Sequence, residues 1–418
     1  MRILTVLLCA SLIAEAQEEP KERDAVKNRM ARGAERYKAR KYDEAVHEFS
    51  RAIELDPKRV DAYVQRGHCH YQKRAYKTAI VNYKAALELQ ANHSSALFTA
   101  GLAYQYLKEH ENALKMFDEA VKHYPIWPEA YLRRGNSRRE LLDYAGAVED
   151  YGEAIALKQL REAYRARALV NEDLGNYEAA VNDYTTLIEL HSGPHVALRL
   201  RARAYFFLHK RAKCDEDFTN SLFLKDDDPA TWTMRARVRK LAGDYPGALA
   251  DCSKAIELNR KSPHPYFIRG LIHYDFKKYR KALLDLKKAI RRSGAVEPDY
   301  MWLYHCLIRM RLRQKERGQT ELKDYVALKK EQPTAWFATV VKFLTGEINE
   351  DDFLSAAKDE TPKTTAERRC EAFFYAGTLR MAAGNREGAR DFFRKSVATQ
   401  MRSFIEYESS SIEIQRGG

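Results

Sequence analysis

The sequence predicts an all-α protein built from stacked pairs of helices. Three observations support this prediction: an alanine that returns about every 34 residues, a large residue four positions after it, and a small residue three positions further on. Spacings of three and four residues place side chains on one face of a helix, whereas strands show a period of two. A period of about 20 to 50 residues is typical of solenoid proteins.

The first 16 residues predict a signal peptide. Arg2 precedes an apolar run, "ILTVLLCASLIA", and Ala14 and Ala16 occupy the two positions that a signal peptidase inspects. The run is shorter than the roughly 20 residues that a spanning helix needs. We therefore expect cleavage after Ala16, a secreted or periplasmic mature chain without a membrane span, and an N-terminal extension over 17–25. Lipid attachment at Cys9 is the alternative, although Leu8 stands where that process needs a small residue.

The repeated segment begins after this extension. It is clearest in the stretches "KYDEAVHEFSRAIELDP", "DYAGAVEDYGEAIAL" and "DYPGALADCSKAIELN". The recurring alanine position is occupied by Ala45, Ala79, Ala113, Ala147, Ala180, Cys214, Ala248 and Ala282. The large residue four positions later is Phe49, Tyr83, Phe117, Tyr151, Tyr184, Phe218, Cys252 and Leu286. The small residue upstream in the same register is Gly33, Gly67, Gly101, Gly135, Ala168, Ala202, Ala236 and Gly270.

This pattern predicts two helices in each repeat. Small residues let a second helix approach closely, and the large residue fills the space at the crossing. Short polar breaks such as the one before Tyr42 separate the two helices, and Pro57 and Pro125 end repeats where a helix must stop. A tyrosine follows the break in most copies, for example Tyr76 and Tyr245, where we expect it to pack one repeat against the next.

The pattern resembles the tetratricopeptide repeat, whose 34 residues have Gly or Ala at position 8, Ala at position 20 and an aromatic residue at position 24. Eight consecutive copies over 26–294 have this resemblance, with local departures at Cys214, Cys252, Leu187 and Leu286. The resemblance implies a right-handed α-solenoid of helix-turn-helix repeats, in which each repeat contacts mainly its neighbours.

The 34-residue repeat pattern becomes weaker after Gly294. We expect degenerate helical hairpins over 295–369, with Asn349 capping a short helix. A further repeat and a capping helix follow over 370–408, with Gly377 and Phe393 at the expected positions. A flexible tail is expected over 409–418.

The last quarter of the chain resembles a narrower family. The order of a "WLY" helix, a Trp-containing helix that ends at a glycine, the segment "FFYAGTLRMAAGNREGARDFFRKSVAT" and "FIEY" is similar to new lipoprotein I, a bacterial envelope protein built from these repeats. That resemblance implies an adaptor that brings peptidoglycan hydrolases and a processing protease together, and a homodimer. The longer repeat array and the missing lipid-attachment sequence depart from that family.

A basic groove is the predicted binding site. Positions 2, 5, 9 and 12 of each first helix face away from the second helix, and in this repeat family that face lines the concave groove. On that face or next to it lie the candidate peptide-binding residues Arg133, Arg139, Arg165, Arg199, Arg203, Arg237 and Lys240. Arginines hold carboxylates in bidentate pairs and stack on aromatic rings, so an acidic or C-terminal peptide segment is the expected ligand.

Other interpretations of this surface remain open. A chain with a net charge of +13 exposes arginines on many helices, and acidic neighbours such as Glu140 and Glu162 reduce the positive electrostatic potential of the groove. The apolar members of the face, Phe98, Phe206, Phe267 and Tyr274, are expected to serve packing. The Lys and Asn clamp that chaperone-binding members use is missing, since its positions hold Met30, Ala34, Gln65, Ser95 and Thr99.

The sequence does not indicate catalysis. It contains no phosphate-binding glycine loop, no GxSxG turn and no HExxH pair. His68 and His70 point to different sides of a helix, and Asp228 is expected to cap a helix rather than to bind a cation. The five cysteines after the signal peptide have no CxxC spacing, and most are expected to be buried thiols.

These observations predict a non-enzymatic extracytoplasmic scaffold that binds protein partners in its basic groove. No cofactor, metal or nucleic-acid partner is expected, and a homodimer is possible under the family resemblance. The alternative is a binder of anionic polysaccharide or cell-wall polymer through the same cations. An enzyme would need a pocket of convergent carboxylates or histidines.

Overall fold

The computed structural model describes residues 23–191, 193–294, 298–329, 333–359, 361–401 and 404–415. Within these ranges every regular element is a helix and no strand occurs, so the predicted all-α class is confirmed. The chain divides into two compact units: unit 1 ends at Leu190 and unit 2 begins at His191. The expected signal peptide and Cys9 lie outside the described residues.

Unit 1 is a series of antiparallel helix pairs in which odd-numbered helices are the first of each repeat. Its helices are α1 (23–38), α2 (Tyr42–Leu55), α3 (Val60–Gln72), α4 (Tyr76–Leu89), α5 (Ser94–Tyr106), α6 (His110–His123), α7 (Pro128–Glu140), α8 (Tyr144–Leu157), α9 (Arg161–Asp173) and α10 (Tyr177–Glu189). Each helix packs mainly on the helices that precede and follow it, as expected for a solenoid.

Unit 2 continues with the same kind of helix pair and ends in a single helix. Its helices are α11 (Pro194–Phe207), α12 (Arg211–Leu224), α13 (Pro229–Ala242), α14 (Tyr245–Leu258), α15 (His264–Asp275), α16 (Tyr279–Arg292), α17 (Asp299–Arg311), α18 (Lys315–Ala327), α19 (Ala335–Thr345), α20 (Glu350–Ala356), α21 (Pro362–Ala382), α22 (Arg386–Ala398) and α23 (Ile405–Gln415). Residues 409–415, which the sequence assigns to a flexible tail, form the second half of α23, and Ser409 and Ser410 are buried.

The core of each repeat is the contact between the small residue of the first helix and the large residue of the second. Ala113, Phe117 and Ala120 on α6 are fully buried. A Cβ atom placed on Gly101 of α5 would lie 2.6 Å from Cζ of Phe117, so a larger residue at position 101 needs a local shift. The packing predicted from the 34-residue period is therefore present.

The turn within each repeat uses one residue in the left-handed region. In unit 1 this residue is Arg40, Arg74, Lys108, Leu142 and Gly175 in successive repeats, with φ between 59° and 77°. The next residue then donates its amide to a carbonyl of the first helix, as Asp143 does to Arg138 at 2.9 Å. This geometry ends the first helix and starts the second within three residues.

The expected tyrosine contacts and helix caps are also present. Tyr76 stacks on Tyr106 of the next repeat, with ring centroids 4.8 Å apart, and Tyr245 meets Phe276 edge-on at 4.7 Å. The Asp228 carboxylate accepts the amide of Ala230 at 3.1 Å.

Candidate functional site

Three of the predicted groove residues come together in unit 1. Arg133 and Arg139 on α7 and Arg165 on α9 line one open cleft of about 370 Å³. The remaining lining residues are Gln105, His110, Leu132, Asn136, Glu140, Glu162, Ala166 and Leu169. All belong to the first helices α5, α7 and α9 except His110, which begins α6. We call this surface the unit 1 cleft.

The three arginines of the unit 1 cleft differ in how they are paired. Nη2 of Arg139 donates to Oε1 of Glu140 at 2.6 Å, and this hydrogen bond holds the pKa of Glu140 below its usual value. The exposed side chains of Arg133 and Arg165 make no hydrogen bond or ion pair with any part of the chain that the structure describes. Two guanidinium groups in the cleft therefore remain available to an acidic ligand.

Hydrogen bonds from the adjacent helices α5 and α8 hold α7 in the wall of the unit 1 cleft. Nε2 of Gln105 donates to the carbonyl of Arg133 and to Oγ of Ser137, both at 2.8 Å. The Tyr151 hydroxyl donates to Oδ1 of Asn136 at 2.9 Å. The Gln105 contacts fix α5 against α7 and the Tyr151 contact fixes α8 against α7, so the backbone that presents Arg133 is set before a ligand arrives.

An aromatic cluster lies beside Arg133. Tyr71 contacts Tyr76 and Tyr106 edge-on, with centroid distances of 5.4 and 5.8 Å. Burial raises the pKa of Tyr71, and the positive charge of Arg133 opposes that rise. Tyr106 is 62% exposed. The cluster thus offers an apolar, partly exposed surface next to an available cation.

The four predicted residues of unit 2 do not form an exposed run of free cations. Nη1 of Arg199 donates to Oδ2 of Asp228 at 2.6 Å, and Arg203 is engaged with other groups of the chain. Arg237 lies over the ring of Phe206 at 4.8 Å. Lys240 is fully buried, with Nζ 3.2 Å from Oδ2 of Asp275. The carboxylates that pair with Arg199 and Lys240, those of Asp228 and Asp275, lie on later helices or loops, so the helical pattern alone could not reveal them.

The apolar residues of the same face serve packing, as expected. Phe206, Phe267 and Tyr274 are buried. Phe98 is half-buried against Trp127, with ring centroids 4.7 Å apart.

Sequence reasoning missed a second set of arginines that is entirely structural. At position 7 of successive first helices, an arginine makes a bidentate pair with a buried aspartate 16 residues later, at 2.6–3.1 Å. These pairs are Arg134–Asp150, Arg167–Asp183, Arg201–Asp217, Arg235–Asp251 and Arg269–Asp285. The constant separation of 16 residues was visible in the sequence. The guanidinium groups of these five arginines are therefore neutralised within the repeats, without any ligand.

No metal-binding cluster accompanies the cleft in the described residues. No group of three or more His, Cys, Asp or Glu side chains there has an arrangement that would hold a metal ion. Burial lowers the pKa of His68 to about 4. The described cysteines are all buried free thiols, as predicted for most of them, and burial raises the pKa of Cys69 to about 12. No helix among residues 23–415 that the structure describes is long and apolar enough to cross a membrane.

Comparison with protein-family models supports the repeat assignment in unit 1. Models described as TPR repeat or tetratricopeptide repeat match residues 33–74, 60–93, 95–125 and 132–193. These matches cover the aromatic cluster and the unit 1 cleft. Tetratricopeptide repeats are thereby established for this part of the chain.

Solved structures of other repeat proteins are similar at low identity. A tetratricopeptide repeat protein from Parabacteroides merdae is 18% identical over 70% of this chain and 99% of that chain, with a TM-score of 0.41. YrrB, described as a TPR protein with an unusual peptide-binding site, is 19% identical over 46% of this chain and 97% of its own, with a TM-score of 0.41. PilF of Pseudomonas aeruginosa is 18% identical over 49% of this chain and 94% of its own, with a TM-score of 0.42. At these values the similarities support no inference about partners.

Proposed function

From the tetratricopeptide repeats of residues 33–193, we propose that this protein is a non-enzymatic scaffold whose unit 1 cleft binds acidic segments of partner proteins. One observation carries the proposal. Arg134 and Arg167 on α7 and α9 are neutralised by buried aspartates, whereas Arg133 and Arg165 on the same helices have no counterion in the described residues and line one cleft.

The chemistry of the cleft favours a peptide with carboxylates and an aromatic side chain. A guanidinium group binds a carboxylate through two parallel hydrogen bonds and stacks on aromatic rings. Asn136 and Glu140 also line the cleft, which allows hydrogen bonds to a peptide backbone. The exposed Tyr106 ring lies on the adjacent repeat, where it can pack against an apolar side chain of the ligand.

The proposal is tested by fluorescence anisotropy with a labelled peptide that alternates Glu and Phe. Charge reversal of both Arg133 and Arg165 to Glu is expected to weaken binding at least ~10-fold, because attraction becomes repulsion. Binding by the unaltered protein is expected to weaken as salt concentration rises. The matched control reverses Lys77 and Lys115, which are exposed on the second helices α4 and α6, and changes the net charge equally.

Two results would contradict this function. One is equal binding of the probe by the Arg133 and Arg165 variant and by the Lys77 and Lys115 control. The other is equal binding of the same peptide with Gln in place of Glu, since the cleft would then not recognise carboxylates. Displacement of the probe by soluble polygalacturonate at lower charge concentration than by unlabelled peptide would favour the polysaccharide alternative, which uses the same two cations.

The extracytoplasmic location is part of the same proposal. It is supported by the charged start, apolar run and small residues of the first 16 positions. The resemblance of the last quarter to new lipoprotein I extends the proposal to cell-envelope assembly, regulation of peptidoglycan hydrolases and homodimer formation. Mass spectrometry of the protein purified from its native cells should find a mature chain that begins at Gln17. An unprocessed chain that begins at Met1 would refute the location.

A further inference from the structure

The C-terminal helix α23 lies along the inner face of unit 2. Its residues contact side chains of the first helices α13, α15, α17 and α21, and it also packs on α22. First helices are the ones that carry the predicted groove positions, including Arg237 and Lys240. The part of the predicted groove that contains Arg237 and Lys240 is therefore covered by a segment of the same chain.

Glu408 makes the central contact of α23. Its carboxylate lies 3.5 Å from Nζ of Lys240 and 3.8 Å from Nη2 of Arg237, and Lys240 also pairs with Asp275 at 3.2 Å. Burial lowers the pKa of Lys240, but the carboxylates of Asp275 and Glu408 outweigh burial and hold that pKa above its ordinary value. The lysine is therefore charged, and α23 supplies one of its two counterions.

Further polar contacts run along the length of α23. The Tyr375 hydroxyl donates to Oε1 of Glu406 at 3.1 Å. The hydroxyls of Tyr304 and Ser409 lie 3.2 Å apart. Near the end of the helix, Nη2 of Arg311 donates to Oε1 of Glu413 at 3.2 Å. The first helices α13, α17 and α21 thus each offer a side chain that recognises α23 by a hydrogen bond or a charge.

The buried side of α23 is unlike that of a core helix. Its fully buried residues are Glu406, Glu408, Ser409 and Ser410, and Ile405 and Ile414 pack against the core only partly buried. A helix that belongs to a core instead buries an apolar stripe. Oγ of Ser410 is buried without a hydrogen-bond partner in the described structure, and an open cleft of about 260 Å³ lies between α23 and the end of α13. Polar, incompletely packed surfaces of this kind are typical of interfaces that form and separate.

We propose that the inner face of unit 2 is a second peptide-binding site, that α23 occupies it as an exchangeable ligand from the same chain, and that an acidic helix of a partner protein replaces α23. The partner helix needs one carboxylate for Lys240 and Arg237 and a second, five residues later, for Arg311, because Glu408 and Glu413 fill these places in α23. This site is independent of the unit 1 cleft.

Occupation by the same chain sets the affinity that a partner helix can reach. A tethered ligand acts at an effective concentration in the millimolar range. A free helix then binds with an apparent Kd equal to its intrinsic Kd divided by the fraction of molecules in which α23 has left the site. Weakening α23 alone should therefore strengthen binding from solution, which a purely structural helix would not do.

The test measures fluorescence anisotropy of a labelled peptide with the sequence of residues 404–415. The full chain with Glu408→Gln and Glu413→Gln is expected to bind this probe at least ~10-fold more tightly than the unaltered chain. A second probe, with glutamine at both of these glutamates, is expected to bind at least ~10-fold more weakly to the same variant. The control variant carries Glu316→Gln and Glu387→Gln, which are exposed on α18 and α22, and should bind like the unaltered chain.

Hydrogen exchange of the unaltered chain tests whether α23 leaves its site, and this measurement does not depend on the folding of the variant. Amides of α23 should exchange at least ~10-fold faster than the most protected amides of α21 and α22, because α23 leaves its site while those helices stay folded. The proposal is overturned if α23 exchanges only together with α21 and α22. It is also overturned if the variant and the control bind the first probe equally.

Discussion

Neighbouring arginines of this protein have different surroundings, and the surroundings of each are set by its position in the repeat. Arg134 makes a bidentate pair with the buried Asp150, whereas Arg133, one residue earlier, faces the unit 1 cleft. An arginine paired in this way is a structural element, and its removal would leave a buried charge without a partner. Counting basic residues therefore overstates the binding surface, and the 16-residue Arg–Asp spacing is the sequence signal that corrects the count.

The contact between glycine and aromatic residue within a repeat gives a stability prediction at this scale. Gly101→Ala is expected to lower the free energy of unfolding by about 1–3 kcal/mol, because the new Cβ would lie 2.6 Å from Cζ of Phe117 and force the core to shift. Gly152→Ala is the matched control in another helix of unit 1, since its nearest neighbour would be Nη1 of Arg167 at 3.7 Å.

Urea unfolding followed by circular dichroism measures both changes. The control is expected to raise the free energy of unfolding by about 0.5–1 kcal/mol, because alanine is a better helix former than glycine. Equal stability of the two variants would show that the Gly101 contact does not limit packing.

At the scale of the element, α23 marks the limit of what the sequence could predict. Helix boundaries inside the repeats follow from local patterns, and the caps at Asp228 and Asn349 were assigned correctly. The position of α23 depends on contacts with no local signal: Lys240 and Glu408 are 168 residues apart. The segment "ESSSIEIQ" has too few apolar residues to indicate burial, and the sequence therefore predicted a flexible tail there.

The burial of Glu406 predicts how the stability of unit 2 depends on pH. Burial and the neighbouring Glu371 raise the pKa of Glu406 to about 8. Tyr300, Tyr304 and Tyr375 also face this site, and Glu408 lies on the same helix. In the unfolded chain Glu406 ionises near its ordinary value of 4.5. The stabilisation from the protonated carboxyl is therefore complete below that value and is lost as the pH rises towards about 8.

Denaturation followed by tryptophan fluorescence over this pH range checks the prediction, because Trp302 and Trp336 lie in unit 2. The unfolding midpoint should fall as the pH rises from about 5 to about 8. Glu406→Gln should reduce this slope, since glutamine does not titrate. A midpoint that rises over the same interval, or an unchanged slope in the variant, would show that Glu406 is already ionised in the folded chain.

At the scale of the whole molecule, the period determined the fold class but not the division into units. The alanine, glycine and aromatic positions recur on both sides of Leu190, so periodicity does not indicate a boundary there. The candidate binding site was also only partly predictable from the repeat period. Arg133, Arg139 and Arg165 meet in one cleft because the register of first helices aligns them, whereas Arg237 and Lys240 are covered by a segment that the register does not describe.

The central claim is that a partner binds in the unit 1 cleft, and photo-crosslinking in the native cells tests it most directly. A photoreactive phenylalanine analogue at Leu169, which lines the cleft, is compared with the same analogue at Lys115 on the outer helix α6. We expect an acidic protein segment to be captured from position 169 and not from position 115. Capture of partners only from position 115, or equal capture from both, would contradict it.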